Sequence, residues 1–336
     1  MHPILFHLPV WVIVLLAGGV GGAWLAESLQ RKGWLVWALG AAGAGTTLLI
    51  GALCGLLQKS LPVQGYGTLI LAGFLAGVWL ARRRAPLLGI DPRHCTDVGL
   101  WGVAGGLLGA RLFHVALNWE HYSPFGPNGP AALLNIFALW EGGLVFFGAF
   151  VAALVVAAVY CRVHKLPILP FMDLAVPGLI AGQAFGRLGC LMRGCCFGKV
   201  CAAPWAMSFP PESQVYQDQA SLGQLRAGAA HSLPVYPTQL FAALGAALVA
   251  AILYAYWPRR RYDGQVLGLA LVLAAVERFF EEFLRGDVPA GIPALSASLT
   301  IAQWFSLGLL VVGAAWLVCF RRRGGLYAPK LAGEKT

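Results

Sequence analysis

Nine apolar runs fix most of what this chain can become. They cover 8–26, 34–57, 65–81, 98–118, 143–160, 172–191, 237–257, 264–284 and 299–320, each near the ~20 residues that carry a helix across a bilayer. Lipid cannot hydrogen-bond a bare backbone, so spans of this kind are expected to be helical. Only 11% of the residues are charged and the mean hydropathy is +0.72, against about one quarter charged in a soluble domain. The expected fold class is therefore an all-α polytopic integral membrane protein of nine transmembrane helices. The first run has no cationic start and further spans follow it, so it reads as a retained anchor and not a cleaved signal.

The net charge of +10 points away from nucleic acid once the charges are placed. Sixteen of the 24 basic residues fall in alternate connections: Arg31 and Lys32, Arg82–Arg84 with Arg93, Arg162 and Lys165, Arg259–Arg261, and the tail from Arg321 to Lys335. Lys59, Arg193, Lys199, Arg226 and Arg285 fall in the opposite ones. Basic loops stay in the cytoplasm, which puts the N-terminus outside, the C-terminus inside, and 191–236 in a small extracytoplasmic head. The domain reading is two N-terminal helices in 1–60, a membrane core over 61–323, and a tail, 324–336, expected to be disordered.

Three basic residues remain, and they sit inside spans: Arg111, Arg187 and Arg278. Each follows an aspartate, Asp97, Asp173 or Asp263, by 14 or 15 residues. Aspartate is a good helix N-cap. With ~1.5 Å of rise per residue the three arginines reach one level, about 21–23 Å from those starts. An arginine at membrane depth is costly and marks a functional site by default; a single one can also snorkel to the headgroups. Three at one depth favour convergence. Glu282 follows Arg278 by four residues, on the same helical face. Guanidinium forks match phosphate oxygens bidentately, so the set suits a phospholipid head. The neighbouring glycines, among them Gly105, Gly109, Gly186 and Gly189, favour close helix contact over a pore.

Cys190, Cys195, Cys196 and Cys201 cluster after the sixth run. An oxidising exterior permits a bridge. Four sulfurs also suffice for zinc, but the stretch lacks a CxxC pair, and the reading is small buried or bridged cysteines without metal. His114, His121 and Glu141 are possible proton acceptors near the first arginine; each has a plainer interfacial or capping role open to it.

Several stretches, in order over about residues 62–323, resemble the prolipoprotein diacylglyceryl transferase family. They are "GYG" (65–67), "GAR" (109–111), "WEGGLVFFG" (140–148), "GRLGCLMRGCCFGK" (186–199), "YPTQLF" (236–241) and "ERFFEEFLRGD" (277–287). Such enzymes move a diacylglyceryl group from phosphatidylglycerol to the lipobox cysteine of a preprolipoprotein and release glycerol phosphate. The resemblance implies a bacterial inner-membrane enzyme without a cofactor, whose partners are phosphatidylglycerol, membrane lipids and preprolipoprotein signal peptides. It implies Arg187 and Arg278 as a phosphate clamp, with Glu282 orienting Arg278. Arg111 and Tyr66 would bind substrate, together with Gly186, Gly189, Cys190, Gly198 and Gln239.

The chain departs from the family pattern in places. Phe147 stands where members often carry a His, Ala274 where they carry a Tyr, and Cys190 and Arg193 where they carry Asn. A relative that binds phospholipid or serves another acceptor, or an anion transporter, are the competing readings of the same arginines.

Overall fold

The computed structural model describes residues 4–9, 60–123, 135–136, 143–226, 228–287, 299–323 and 325–326. Strands β1 (Ile4–Pro9) and β2 (Ser60–Gln64) form an antiparallel ribbon. Among the described residues eight helices of eight or more residues follow: α1 (Gly65–Arg84), α2 (Pro92–Leu117), α3 (Phe146–Val163), α4 (Ile168–Arg193), α5 (Gln214–Ser221), α6 (Thr238–Tyr256), α7 (Gln265–Leu284) and α8 (Ile301–Arg323). All except α5 fall on the expected apolar runs. The ribbon modifies the all-α expectation, and β1 takes the first two residues of the run at 8–26. The rest of that run, the run at 34–57 and Glu141 lie outside the described residues.

Five helices, α1, α2, α4, α6 and α8, are long and apolar enough to cross a membrane. α3 is apolar but shorter, and α7 carries Glu277, Arg278, Glu281 and Glu282 in its last two turns. Large apolar side chains face outward along the helices, as Leu71, Leu75 and Trp79 do on α1 at 51–57% exposure. Water would penalise such a surface; a lipid environment does not. The chain is a multi-pass membrane protein.

The aspartates do not begin their own helices. α2 starts five residues before Asp97, and its cap is Asp91, which accepts from the Arg93 backbone N–H at 2.9 Å. Asp97 lies within the helix and accepts from the Tyr160 hydroxyl at 3.0 Å. Asp173 lies inside α4, fully buried, and accepts from Gly264 N and Leu267 N, both at 2.8 Å. It thus caps a neighbouring helix, α7. Asp263 precedes the α7 cap, Gly264, whose φ of +86° suits glycine.

The chain divides into two compact units. In one, comprising Ile70–Leu188, Cys196–Ser208 and Pro234–Thr336, glycines let helices touch through backbone. A Cβ on Gly77 would lie 2.7 Å from Gly178 O across the α1–α4 crossing. Gly109 and Gly148 do the same for α2 and α3, where Val145 N–H also reaches Ala110 O at 3.2 Å. Small residues at such crossings make up for the missing hydrophobic drive between helices in lipid. The buried core gathers at one end, where α1 and α6 finish and α2, α4 and α7 begin: Ala85, Leu88, Leu253, Trp257 and Val266 are at most 4% exposed.

The stretch expected as a head is irregular apart from α5. Within the first unit, Gly198 N–H bonds Tyr236 O at 3.1 Å, Lys199 N–H bonds Leu284 O at 2.9 Å and Gly286 N–H bonds Phe197 O at 3.0 Å. The second unit comprises Met1–Leu69, Gly189–Cys195 and Phe209–Leu233. There Ser213 caps α5, and Gln219 Oε1 accepts from Leu233 N at 2.8 Å.

Candidate active site

Arg187 and Arg278 come from different helices and meet through one carboxylate. Arg187 on α4 forms a bidentate pair with Glu281 on α7: Nη1 lies 3.0 Å from Oε1, and Nη2 donates to Oε2 at 3.0 Å. Arg278 Nη1 reaches Glu281 Oε2 at 3.4 Å, and its Nη2 pairs with Glu282 Oε2 at 2.6 Å. The other Glu282 oxygen accepts from Thr300 Oγ1 at 2.8 Å. Helical spacing explains the α7 half, since positions 278, 281 and 282 share one face at i, i+3 and i+4.

Exposure differs sharply across this chain of charges. The carboxylate side chains are 5% and 1% exposed, the guanidinium side chains 15% and 27%. Buried glutamates thus hold both arginines, whose side chains stay partly exposed. Buried ion pairs barely repay their desolvation, and removing one partner is what costs stability. Such a network makes better sense as positioning than as glue.

Two carboxylates here escaped the sequence reading. Glu281 was overlooked, although the i, i+3 spacing to Arg278 gives the signal. Glu277 packs against the α6 backbone: a Cβ on Gly245 would lie 3.0 Å from its Oε1. The expected Glu282–Arg278 pairing is present.

Arg111 is held by a different set of groups. It is 3% exposed, donates through Nε to Ile136 O at 2.9 Å and through Nη2 to Asn135 O, and lies 5.4 Å from the Tyr122 ring centre. Three residues on, the His114 ring lies edge-on to Tyr122 at 6.1 Å and against Gly143. Gly143 has φ +67°, and a Cβ there would come within 2.5 Å of His114 Nε2. Both facts require glycine at the end of "WEGG".

The remaining candidates serve backbone geometry as much as any ligand. Tyr66, 38% exposed, lies over Gly189, where a Cβ would approach its ring at 2.8 Å. Gly186 would tolerate a methyl, whose nearest neighbour is Ile70 Cδ1 at 3.6 Å. Gly198 cannot, since a Cβ would meet Tyr236 Cβ at 2.5 Å. Cys190, half-buried in α4, accepts from Cys195 Sγ at 3.8 Å through its carbonyl. Gln239 is fully buried in the first turn of α6.

The sequence model of the family described as prolipoprotein diacylglyceryl transferase matches residues 55–319. The chain belongs to this family. A Ralstonia pickettii protein named phosphatidylglycerol–prolipoprotein diacylglyceryl transferase is 32% identical over 285 residues, covering 79% of this chain and 92% of its own length. One of the same name from Xanthomonas oryzae pv. oryzae is 34% identical over 269 residues, 77% and 88% of the two chains. A third, from Rhodopirellula baltica, is 38% identical over 164 residues, 48% of this chain and 33% of that longer protein. The match begins upstream of α1 and ends within α8, so it takes in every helix that carries the candidate residues described above.

Proposed function

We propose that the chain transfers a diacylglyceryl group from phosphatidylglycerol to the lipobox cysteine thiol of a preprolipoprotein, with Arg187 and Arg278 as the phosphate clamp. The observation that carries this reading is the pair of partly open guanidiniums backed by buried Glu281 and Glu282. The sulfur attacks the glyceryl carbon that bears the phosphate oxygen. A C–S bond forms as the C–O bond breaks, the electron pair leaves with glycerol phosphate, and the thiol proton is taken up by the released phosphate or by water. Charge on the leaving phosphate is what needs stabilising. Prepositioned donors do this without reorganising at the moment of reaction. Glu281 and Glu282 fix where those donors point, and Arg111 holds the backbone at 135–136. Phe147 stands where the family often carries a His and takes no part in the proton transfer.

In this reading the protein sits in the bacterial inner membrane. The basic connections face the cytoplasm and the 191–236 head faces outward, where it receives the signal peptide. The reaction needs no cofactor.

The test is a transfer assay with labelled phosphatidylglycerol and a lipobox peptide, run on detergent-purified wild type, Arg187→Ala and Arg278→Ala, each checked for a monodisperse elution profile. The expected result is label on the peptide with wild type and none with either variant. Transfer that persists in both refutes the clamp.

A further inference from the structure

A second group of cationic donors lies at the opposite end of the helices, where α1 and α6 finish and α7 begins. The Arg84 guanidinium stacks 3.4 Å from the Tyr254 ring centre and 5.0 Å from that of Trp257. Arg260 covers Trp257 at 3.9 Å. Three N–H donors in this cluster, Arg84 Nη1, Trp257 Nε1 and Arg260 Nε, are buried without a hydrogen-bond partner. Among the described residues Arg84 pairs with no carboxylate. Arg260 Nη1 bonds the Trp257 carbonyl at 3.1 Å, and its Nε faces Asp263 Oδ1 only at 3.9 Å. The other nearby acid, Asp173, spends both oxygens on the α7 backbone. Burial pushes the Arg260 pKa below its ordinary value, with Asp173 and Asp263 opposing and the Arg84 charge adding to the push. Buried polar groups are rarely left unpaired, and what these three donors, two on guanidinium cations and one on an indole, lack is an anionic acceptor with several oxygens.

Tyr254 also ends an apolar groove of about 260 Å³ between α1, α4 and α6, lined by Leu80, Ala184, Phe185, Ala247, Ala251 and Tyr254 among others. That is below the ~300–1,000 Å³ of a cleft for a compact ligand and suits part of a single lipid chain. The groove lies between helices of the membrane core, and its lining includes Tyr254, the ring that Arg84 covers. A free phosphate would have no use for it.

We propose that Arg84, Tyr254, Trp257 and Arg260 bind the phosphate of an anionic phospholipid from the leaflet on their own side, with one acyl chain in the adjoining groove. The site is separate from the Arg187–Arg278 clamp: Arg278 lies 13 residues into α7, about 20 Å along it. The neighbouring basic side chains, Arg82, Arg83, Arg259 and Arg261, would draw such lipids in without sharing the groove.

Native mass spectrometry of the full chain tests this. The probe is dioleoyl phosphatidylserine against dioleoyl phosphatidylcholine in mixed micelles, because phosphatidylglycerol would also load the clamp. Wild type and Arg187→Ala are expected to retain one phosphatidylserine in preference to phosphatidylcholine. Arg84→Gln/Arg260→Gln is expected to lose that preference by about tenfold or more, the scale of one lost hydrogen bond to a charged group. Ala247→Leu, which fills the groove and leaves both arginines in place, is expected to lose it too, and carries the test alone if the double variant does not elute as a monodisperse species. Unchanged retention in the folded variants, loss in Arg187→Ala alone, or equal displacement by inorganic phosphate would overturn the proposal.

Discussion

Glu281 decides the geometry of both Arg187 and Arg278, because a single carboxylate receives a fork from Arg187 and a second contact from Arg278. Glu281→Gln keeps the volume and removes the charge and one acceptor. Its kcat for diacylglyceryl transfer is expected to fall about 10²-fold or more, the cost of misplacing one transition-state donor, and Arg187→Lys should fall comparably because an ammonium cannot make the fork. Near-wild-type kcat in both would show that the fork is incidental. Gly143 makes a different prediction. With φ +67° and the His114 ring against it, Gly143→Ala is expected to lose about 1–3 kcal/mol through strain. Gly67→Ala, with nothing within 4 Å of the new Cβ, is the control that leaves the thermal midpoint unchanged.

Between elements, the most informative contact is Asp173, which caps α7 from the interior of α4. Helix starts leave N–H groups unpaired, and at this one the Gly264 and Leu267 N–H groups are met from another helix. The same joint ties Trp316 on α8 to Gly264, whose carbonyl accepts from its Nε1 at 2.9 Å. Asp173→Ala orphans two buried donors and is expected to cost about 1–3 kcal/mol for each, read as a lower unfolding midpoint in detergent. Because α7 carries Arg278 and Glu281, transfer activity should fall with the cap even though Asp173 touches no substrate. An unchanged midpoint would mean that water takes over those N–H groups.

At the scale of the whole molecule, the fold separates two tasks. Buried apolar packing concentrates toward the Trp257 end, and the buried charge network occupies the last turns of α7. The charge asymmetry gives this axis a direction. A cysteine introduced at Ser221 should react with a membrane-impermeant maleimide in spheroplasts, and one at Arg162 only after lysis. The reverse pattern would invert the proposed orientation.

Sequence by itself determined the seven long apolar helices from α1 onward, five of them long and apolar enough to cross a membrane, because apolar length is set by bilayer thickness and needs no tertiary information. It also picked out the arginines at membrane depth as candidates and determined that Glu282 supports Arg278, since both rest on local spacing. Only the tertiary structure decided that Glu281 joins the two arginines, that Arg111 is engaged by the carbonyls at 135–136, and that Asp173 caps a helix other than its own. Each of those depends on which faces of separate helices meet. Partners drawn from distant parts of the chain leave no periodicity to read along it, whereas burial without water makes their pairing compulsory once the helices have packed.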